Sequence, residues 1–139
     1  MTIRRASCPC GQLHVDCSEE PVRVSICHCL TCQQRTGSAF GVQARFHVDQ
    51  VTNRTGVTTV FARTGESGVT ITHHFCPVCG ATVFYTMNGS EPPYNEDFVA
   101  ITVGSFADPS FPTPTVSGYE ERRHPWVKVL EGTKAEHFD

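Results

Sequence analysis

Cysteine is the concentrated chemistry of this chain. Seven of its eight cysteines fall into three short groups: Cys8-Pro9-Cys10-Gly11, Cys27-His28-Cys29-Leu30-Thr31-Cys32 and Cys76-Pro77-Val78-Cys79-Gly80. With one or two residues between them, thiolates close readily on a single tetrahedral Zn²⁺, whereas cysteines so near in sequence rarely reach disulfide geometry with one another. Two pairs complete a four-sulfur sphere. The triplet does not, and a three-thiolate zinc with a vacant fourth position is the arrangement of a reactive site. The grouping therefore predicts two Zn²⁺ ions, one structural and one catalytic.

The pairs sort by their endings. Cys76-Pro77-Val78-Cys79-Gly80 lies between two strand-like segments, where a knuckle turns the chain around a metal, and Gly80 permits the positive φ that aims backbone N–H groups at sulfur. Cys8-Pro9-Cys10-Gly11 ends the same way, so Cys8, Cys10, Cys76 and Cys79 are assigned to the structural zinc, joining the first strand to the middle of the sheet. Cys27, Cys29 and Cys32 are assigned to the catalytic zinc. The candidates for a fourth ligand there are poor. His28 stands between two ligands and, in an extended chain, points away from a metal they share. Cys17 is in register with Leu13 and Val15 and reads as a small core side chain. His73 and His74 face opposite sides of a strand, so at most one could reach a metal, and both read as ordinary core or surface residues.

Three thiolates around Zn²⁺ give a complex of net charge −1, which drains Lewis acidity and makes a weak activator of water. Hydrolysis is not the expected chemistry. A soft, sulfur-rich zinc instead holds an incoming thiol as thiolate at neutral pH, so the expected reaction is addition of a thiol to a small electrophile, or its reverse. The sequence contains no Gly-x-Ser-x-Gly, no phosphate loop and no dinucleotide Gly-x-Gly-x-x-Gly.

The elements that must position these thiols read as mostly β. Leu13, Val15 and Cys17 alternate with polar neighbours, and Val22, Val24 and Ile26 lead directly into the central cluster. Further strands are predicted over Phe40 to Val48, Thr58 to Arg63, Val69 to Phe75, Ala81 to Thr86, Phe98 to Phe106 and Trp126 to Leu130. One helical piece, Thr31 to Thr36, is ended by Gly37 in the position of a left-handed cap. The segments from Ser90 to Asp97 and from Ala107 to Pro114 are proline-rich loops. Trp126 reads as a core anchor. The mixed charges of Glu120 to His124 read as a solvated face.

Residues 1–139 suit a single domain, and eight cysteines in 139 residues, roughly 6 per cent, fall short of the 8–10 per cent of a disulfide scaffold. The basic residues near the N-terminus precede no apolar run, and no segment is long enough to span a membrane, so a reducing, cytoplasmic setting is expected. A net charge of −3 offers no cationic field for nucleic acid. The expected partner is a small molecule.

The motifs Cys8-Pro9-Cys10-Gly11, Cys27-His28-Cys29-Leu30-Thr31-Cys32 with Gly37 soon after, Phe75-Cys76-Pro77-Val78-Cys79-Gly80, and Pro125-Trp126 together resemble the glutathione-dependent formaldehyde-activating enzymes over nearly the whole chain. The resemblance implies a zinc-bound, β-tent-like fold, with the outer clusters holding a structural zinc and the central cysteines a catalytic one. It implies a carbon–sulfur lyase that joins glutathione and formaldehyde to S-hydroxymethylglutathione; a monomer or homodimer is expected. Many relatives carry a histidine-isoleucine pair where Thr115-Val116 stands here. Among the residues after the central cluster, Gln33, Arg35 and Ser38 are candidates to contact the thiol, and the guanidinium fork of Arg35 suits a carboxylate. Two alternatives stand beside this reading. One is a non-catalytic, zinc-stabilised protein-interaction module. The other is a sulfoxide reductase, for which Cys17 is the spare thiol.

Overall fold

The computed structural model describes residues 2–65, 67–128 and 136–138. Short strands alternate with tight turns through these residues, in a mainly β fold. The strands are β1 (Ile3–Ser7), β2 (His14–Ser18), β3 (Arg23–Cys27), β4 (Gly41–His47), β5 (Val51–Thr55), β6 (Thr59–Thr64), β7 (Thr70–Phe75), β8 (Thr82–Met87), β9 (Phe98–Thr102), β10 (Val116–Gly118) and β11 (Glu136–His137). The α-helix α1 (Leu30–Thr36) follows the central cysteines. Cys29 is its N-cap, its Sγ accepting the Cys32 N–H at 3.3 Å. Gly37 ends it at φ 65°, donating its N–H to the Gln33 carbonyl at 2.8 Å. That is the left-handed cap the sequence predicts.

Two sheets form, β1-β2-β5 and β11-β10-β3-β4-β9-β8-β7-β6. The main core draws on both. Ala6, Leu13, Val15 and Cys17 come from the small sheet and its approach, while Val24, Ala44, Phe46, Phe84, Val99 and Ile101 come from one face of the large sheet. Leu13, Val15, Phe46 and Ile101 are almost wholly buried, each contributing about 1.5–3 kcal/mol relative to an exposed side chain. Cys17 lies among them as expected, and burial pushes its thiol up to about 12, so it is unreactive.

The opposite face of the large sheet is polar along β3 and β4, at Ser25, Gln43 and Arg45, and carries a small apolar cluster of Tyr85, Met87 and Ala100 against Val69, Ile71 and Phe98. Directly paired residues share a face, and the register Cys27↔Gly41, Ser25↔Gln43, Arg23↔Arg45, Arg45↔Ala100, Tyr85↔Ala100, His73↔Tyr85 and Phe61↔His73 runs across six strands. Ser25 Oγ accepts from Gln43 Nε2 at 3.2 Å and from Arg45 Nη1 at 3.0 Å. Helix α1 stands over this face, with the Arg35 guanidinium 5.8 Å from the Tyr85 ring centroid. Reading residue by residue along the strands gives the alternation; only the register shows that one end of this polar face is Cys27.

The turn between β5 and β6 is tied to the first cysteine pair. Gln12 donates from Nε2 to the Val57 carbonyl at 2.7 Å and to Cys76 Sγ at 3.2 Å, while its Oε1 accepts the Val57 N–H at 2.9 Å. Gly56 makes this approach possible. A Cβ there would sit 1.9 Å from the Gln12 carbonyl oxygen, at a φ of +106°. Gly56→Ala is expected to cost about 2–4 kcal/mol, seen as a lower urea midpoint at unchanged m-value. Gly104→Ala, whose added methyl meets nothing within 4 Å, should change stability by less than about 0.5 kcal/mol.

Several expectations need correction. The strand predicted over Phe98 to Phe106 stops at Thr102, where Val103–Phe106 tightens into a 3₁₀ turn. Gly104 and the Thr102–Ser105 hydroxyl pair favour that turn over continued pairing. Trp126 is not a core anchor: it is 70 % exposed, and the segment's buried side chain is its neighbour Val127, which packs with Ile26, Ala39 and Phe40. Positions 126–128 form no strand, and positions 129–130 lie outside the described residues. Four strands escape the periodicity argument. In β1 the paired arginines Arg4 and Arg5 mask the single buried residue Ala6, and β5 is almost wholly exposed. β10 and β11 are three and two residues long and pair in parallel, β10 with β3 and β11 with β10.

Candidate metal centres and the adjoining cleft

The outer cysteines converge. The Sγ atoms of Cys8, Cys10, Cys76 and Cys79 all lie within 4.8 Å of one another, with Cys10 Sγ 3.6 Å from both Cys8 Sγ and Cys76 Sγ. Four sulfurs bound at about 2.3 Å to one tetrahedral ion would stand about 3.8 Å apart, so the set fits a metal. Backbone geometry supports two of the four sulfurs: Cys8 Sγ accepts the Leu13 N–H at 3.3 Å, and Cys76 Sγ accepts the N–H groups of Val78 at 3.3 Å and Cys79 at 3.4 Å. Gly11 and Gly80, at φ 84° and 79°, provide the turns that aim these groups. Burial pushes the Cys76 thiol up, but those N–H groups and the Gln12 amide outweigh it and bring it down to about 6. Cys8 and Cys76 are buried within the main core while Cys10 and Cys79 face outward. A metal there would link the two sheets through their core.

The central cysteines form a group of three. The Sγ atoms of Cys27, Cys29 and Cys32 lie within 4.8 Å of one another, and no histidine, aspartate or glutamate among the described residues completes the set. All three are half-buried. Hydrogen bonds from the Cys27 and Cys32 thiols hold Cys29 far below the ordinary thiol range, and the negative sulfur in turn pushes Cys27 far up. Electrostatic attraction from Arg63 adds to the lowering of Cys29, whereas Cys32 is raised on balance: the hydrogen bond from Cys27, with some help from Arg35, lowers it, but the negative Cys29 sulfur and burial outweigh them.

His28 turns away from this group, as the extended backbone predicts. It is fully buried, its Nε2 3.0 Å from Ser117 Oγ and its N–H donated to the Gly118 carbonyl at 3.0 Å. Strand β10 thus locks the cluster from behind. Val116 lies in that strand and Thr115 immediately before it.

Gln33 is engaged within the protein. Its Nε2 donates to the carbonyls of His28 at 2.9 Å and Arg122 at 3.1 Å, and its Oε1 meets His124 Nε2 at 2.9 Å. The charged stretch from Glu120 to His124 is therefore more than a solvated face. It clamps α1, and Glu120 is itself paired with Arg123 and His137. Ser38 is exposed beyond the helix, with its N–H on Thr36 Oγ1 at 3.1 Å, and it lines neither of the clefts beside α1. Arg35 lines both. Gly41 makes room for it: a Cβ there would lie 2.8 Å from Arg35 Nη2 and 3.5 Å from Cys32 Cβ.

The larger cleft, about 540 Å³, runs between Phe40, Gly41, Thr102 and Ser105 on one side and Cys79 and Gly80 of the outer knuckle on the other. The smaller, about 400 Å³, lies between α1 and the β6–β7 edge of the sheet, and Arg35, Gly80 and Thr82 border both. Five buried polar atoms on this side of the molecule have no hydrogen-bond partner: Gln43 Oε1, Arg45 Nε, Arg63 Nε, His73 Nδ1 and Arg35 Nη2. An unsatisfied buried donor or acceptor costs about 1–3 kcal/mol, and three of these groups belong to Arg35, Arg63 and His73, which line the smaller cleft and mark it as a place to meet a polar ligand. Gln43, Arg45 and Arg63 were not among the sequence candidates, and His73 was weighed there only as a fourth metal ligand. Their signal, polar residues at inward positions of strands, becomes visible only once the strands are registered.

The family model described as glutathione-dependent formaldehyde-activating enzyme matches residues 3–122. A comparison with curated proteins gives no match.

Proposed function

Since the chain belongs to the glutathione-dependent formaldehyde-activating enzyme family, we propose that it is a zinc-dependent carbon–sulfur lyase, an S-(hydroxymethyl)glutathione synthase acting on glutathione and formaldehyde. In this reading the chain is one domain. Cys8, Cys10, Cys76 and Cys79 hold a structural zinc, and Cys27, Cys29 and Cys32 hold a catalytic zinc. The observation that carries it is the incomplete set at Cys27, Cys29 and Cys32, three sulfurs with no fourth ligand among the described residues, beside a cleft bordered by arginines.

Sulfur donors of this kind suit zinc, and when bound the ion would lower the pKa of an incoming thiol and keep it as thiolate. The thiolate sulfur attacks the aldehyde carbon, forming the carbon–sulfur bond as the carbonyl π pair moves to oxygen. That oxygen regains the proton the thiol gave up, so thiol and aldehyde combine without oxidant or leaving group. The chain's own part is orientation. Cys29 caps α1 and so fixes the helix that carries Arg35, Gln33 ties that helix to the segment from Arg122 to His124, and the half-buried cleft limits water around the sulfur.

Isothermal titration of the zinc-loaded protein with glutathione tests the reading. Wild type is expected to bind, and Cys29→Ala to bind at least about tenfold more weakly, a loss of roughly 1.4 kcal/mol or more. Equal affinity for the two proteins would sink it.

A further inference from the structure

The smaller cleft has a composition that the three thiols alone do not explain. Phe61 and Phe75 wall it, Thr31 and Gln34 of α1 roof it, and Arg35, Arg63 and His73 converge on it, with no acidic side chain among the described residues that line it. Arg63 Nε and His73 Nδ1, on residues that line it, are buried without partners among the described residues, and Arg35 Nη2 is likewise buried and unpaired beside Gly41. His73 is only 8 % exposed, and burial together with the two guanidinium groups holds its imidazole down to about 4, so it stays neutral beside them. Two fixed positive charges with spare donors, a neutral ring nitrogen and flat apolar walls suit a planar anion on a short organic chain. A carboxylate matches the guanidinium fork bidentately.

The cleft also adjoins the sulfurs: Thr31, which lies between Cys29 and Cys32, lines it, and a Cβ at Gly41 would touch both Arg35 Nη2, at 2.8 Å, and Cys32 Cβ, at 3.5 Å. We propose that Arg63, Arg35 and His73 form a carboxylate pocket that anchors the end of the thiol substrate remote from its sulfur, so that the protein selects thiols bearing a terminal carboxylate over neutral ones. This rests on the reading of Cys27, Cys29 and Cys32 as the sulfur site. Arg63 is the specificity residue of the pocket, because it comes from the outermost strand β6, whereas Arg35 belongs to the helix that already shapes the metal cluster. Strand β6 is largely exposed, so substitution at Arg63 leaves the cores untouched.

The test compares glutathione with its diethyl ester, in zinc-loaded wild type, Arg63→Gln and Arg63→Lys, by isothermal titration, with thermal unfolding to verify the fold. Removing a charge-assisted contact should weaken glutathione binding about 10–100-fold in Arg63→Gln. Esterification should weaken binding to wild type by a similar factor, and Arg63→Gln should no longer distinguish acid from ester. Arg63→Lys should recover part of the preference. The proposal is overturned if wild type and Arg63→Gln bind glutathione alike, or if wild type binds ester and acid alike. It is also overturned if acetate competes while esterification changes nothing, since the pocket would then take free anions only. Cobalt-substituted protein titrated with 2-mercaptoethanol separates the two readings. An increase in thiolate-to-cobalt absorption over that of the protein's own cysteines, in both wild type and Arg63→Gln, upholds the sulfur site whatever Arg63 does, and no increase in either removes that site and the pocket's role with it.

Discussion

Cys76→Ala is expected to abolish the cooperative unfolding transition or lower its midpoint by more than about 15 °C. Structural zinc contributes roughly 10–16 kcal/mol of apparent folding free energy in small zinc modules, against a total stability of about 5–15 kcal/mol for an ordinary domain. Losing one of four sulfurs therefore removes a contribution as large as the whole margin. Position makes the loss worse. Cys76 is fully buried, receives the Val78 and Cys79 N–H groups and the Gln12 amide, and joins the large sheet to Cys8 at the start of the chain. The alanine would leave those donors without an acceptor and the remaining thiols without a common ion. Elemental analysis should show metal content falling by one ion per chain, and calorimetry the loss of the transition. A variant with an unchanged midpoint would show that the apolar core alone holds the sheets together, and that the outer cluster is structurally dispensable.

The second large effect separates chemistry from architecture. Cys29→Ser is expected to lower the rate of S-hydroxymethylglutathione formation by at least about 10³-fold, or 4 kcal/mol of barrier, while moving the unfolding midpoint by only a few degrees. Serine is a good N-cap, so its hydroxyl can still accept the Cys32 N–H and α1 should persist. What it cannot do is replace a soft thiolate. The contrast with Cys76 follows from location. The outer cluster sits inside the core shared by both sheets, whereas Cys27, Cys29 and Cys32 are half-buried on the polar face. Initial-rate measurements with formaldehyde and glutathione, together with calorimetry, decide the matter. Activity within tenfold of wild type would remove Cys29 from the reacting centre, and a collapsed midpoint would mean that this cluster, too, is structural.

The structure bears on the alternatives as well. Cys17 is buried at 0 % exposure with its thiol pushed up to about 12, which makes it an unsuitable nucleophile for sulfoxide reduction. The interaction-module reading needs a completed central site. Neither His28 nor His73 completes it: His28 is turned toward Ser117, and His73 faces the cleft with its Nδ1 unpartnered.

Local sequence determined the parts whose physics is local. Cysteine spacing marked the groups that the structure gathers into two sets able to hold a metal, because each knuckle is built within a few residues. Gly37, Gly11 and Gly80 marked left-handed turns that only their own φ requires. Alternation located β2, β3, β4, β7 and β8 to within a residue or two, since one face of each strand must be apolar. Tertiary structure decided everything that depends on pairing across the chain. Arg63 and His73 share no motif with Cys29 and Arg35, and nothing within a few residues of either predicts that they meet. Register does it: strand order β9-β8-β7-β6 carries His73 and Arg63 along one face of the sheet toward the helix that follows Cys29. The same holds for Gln33 and His124, 91 residues apart, and for Trp126, whose size suggested the core while the space beside Ile26 is filled by Val127. The cysteine groups that could hold a metal were legible because thiol spacing is a short-range constraint. The cleft beside them was not, because its walls are set by the balance of packing and hydrogen bonding over the whole sheet.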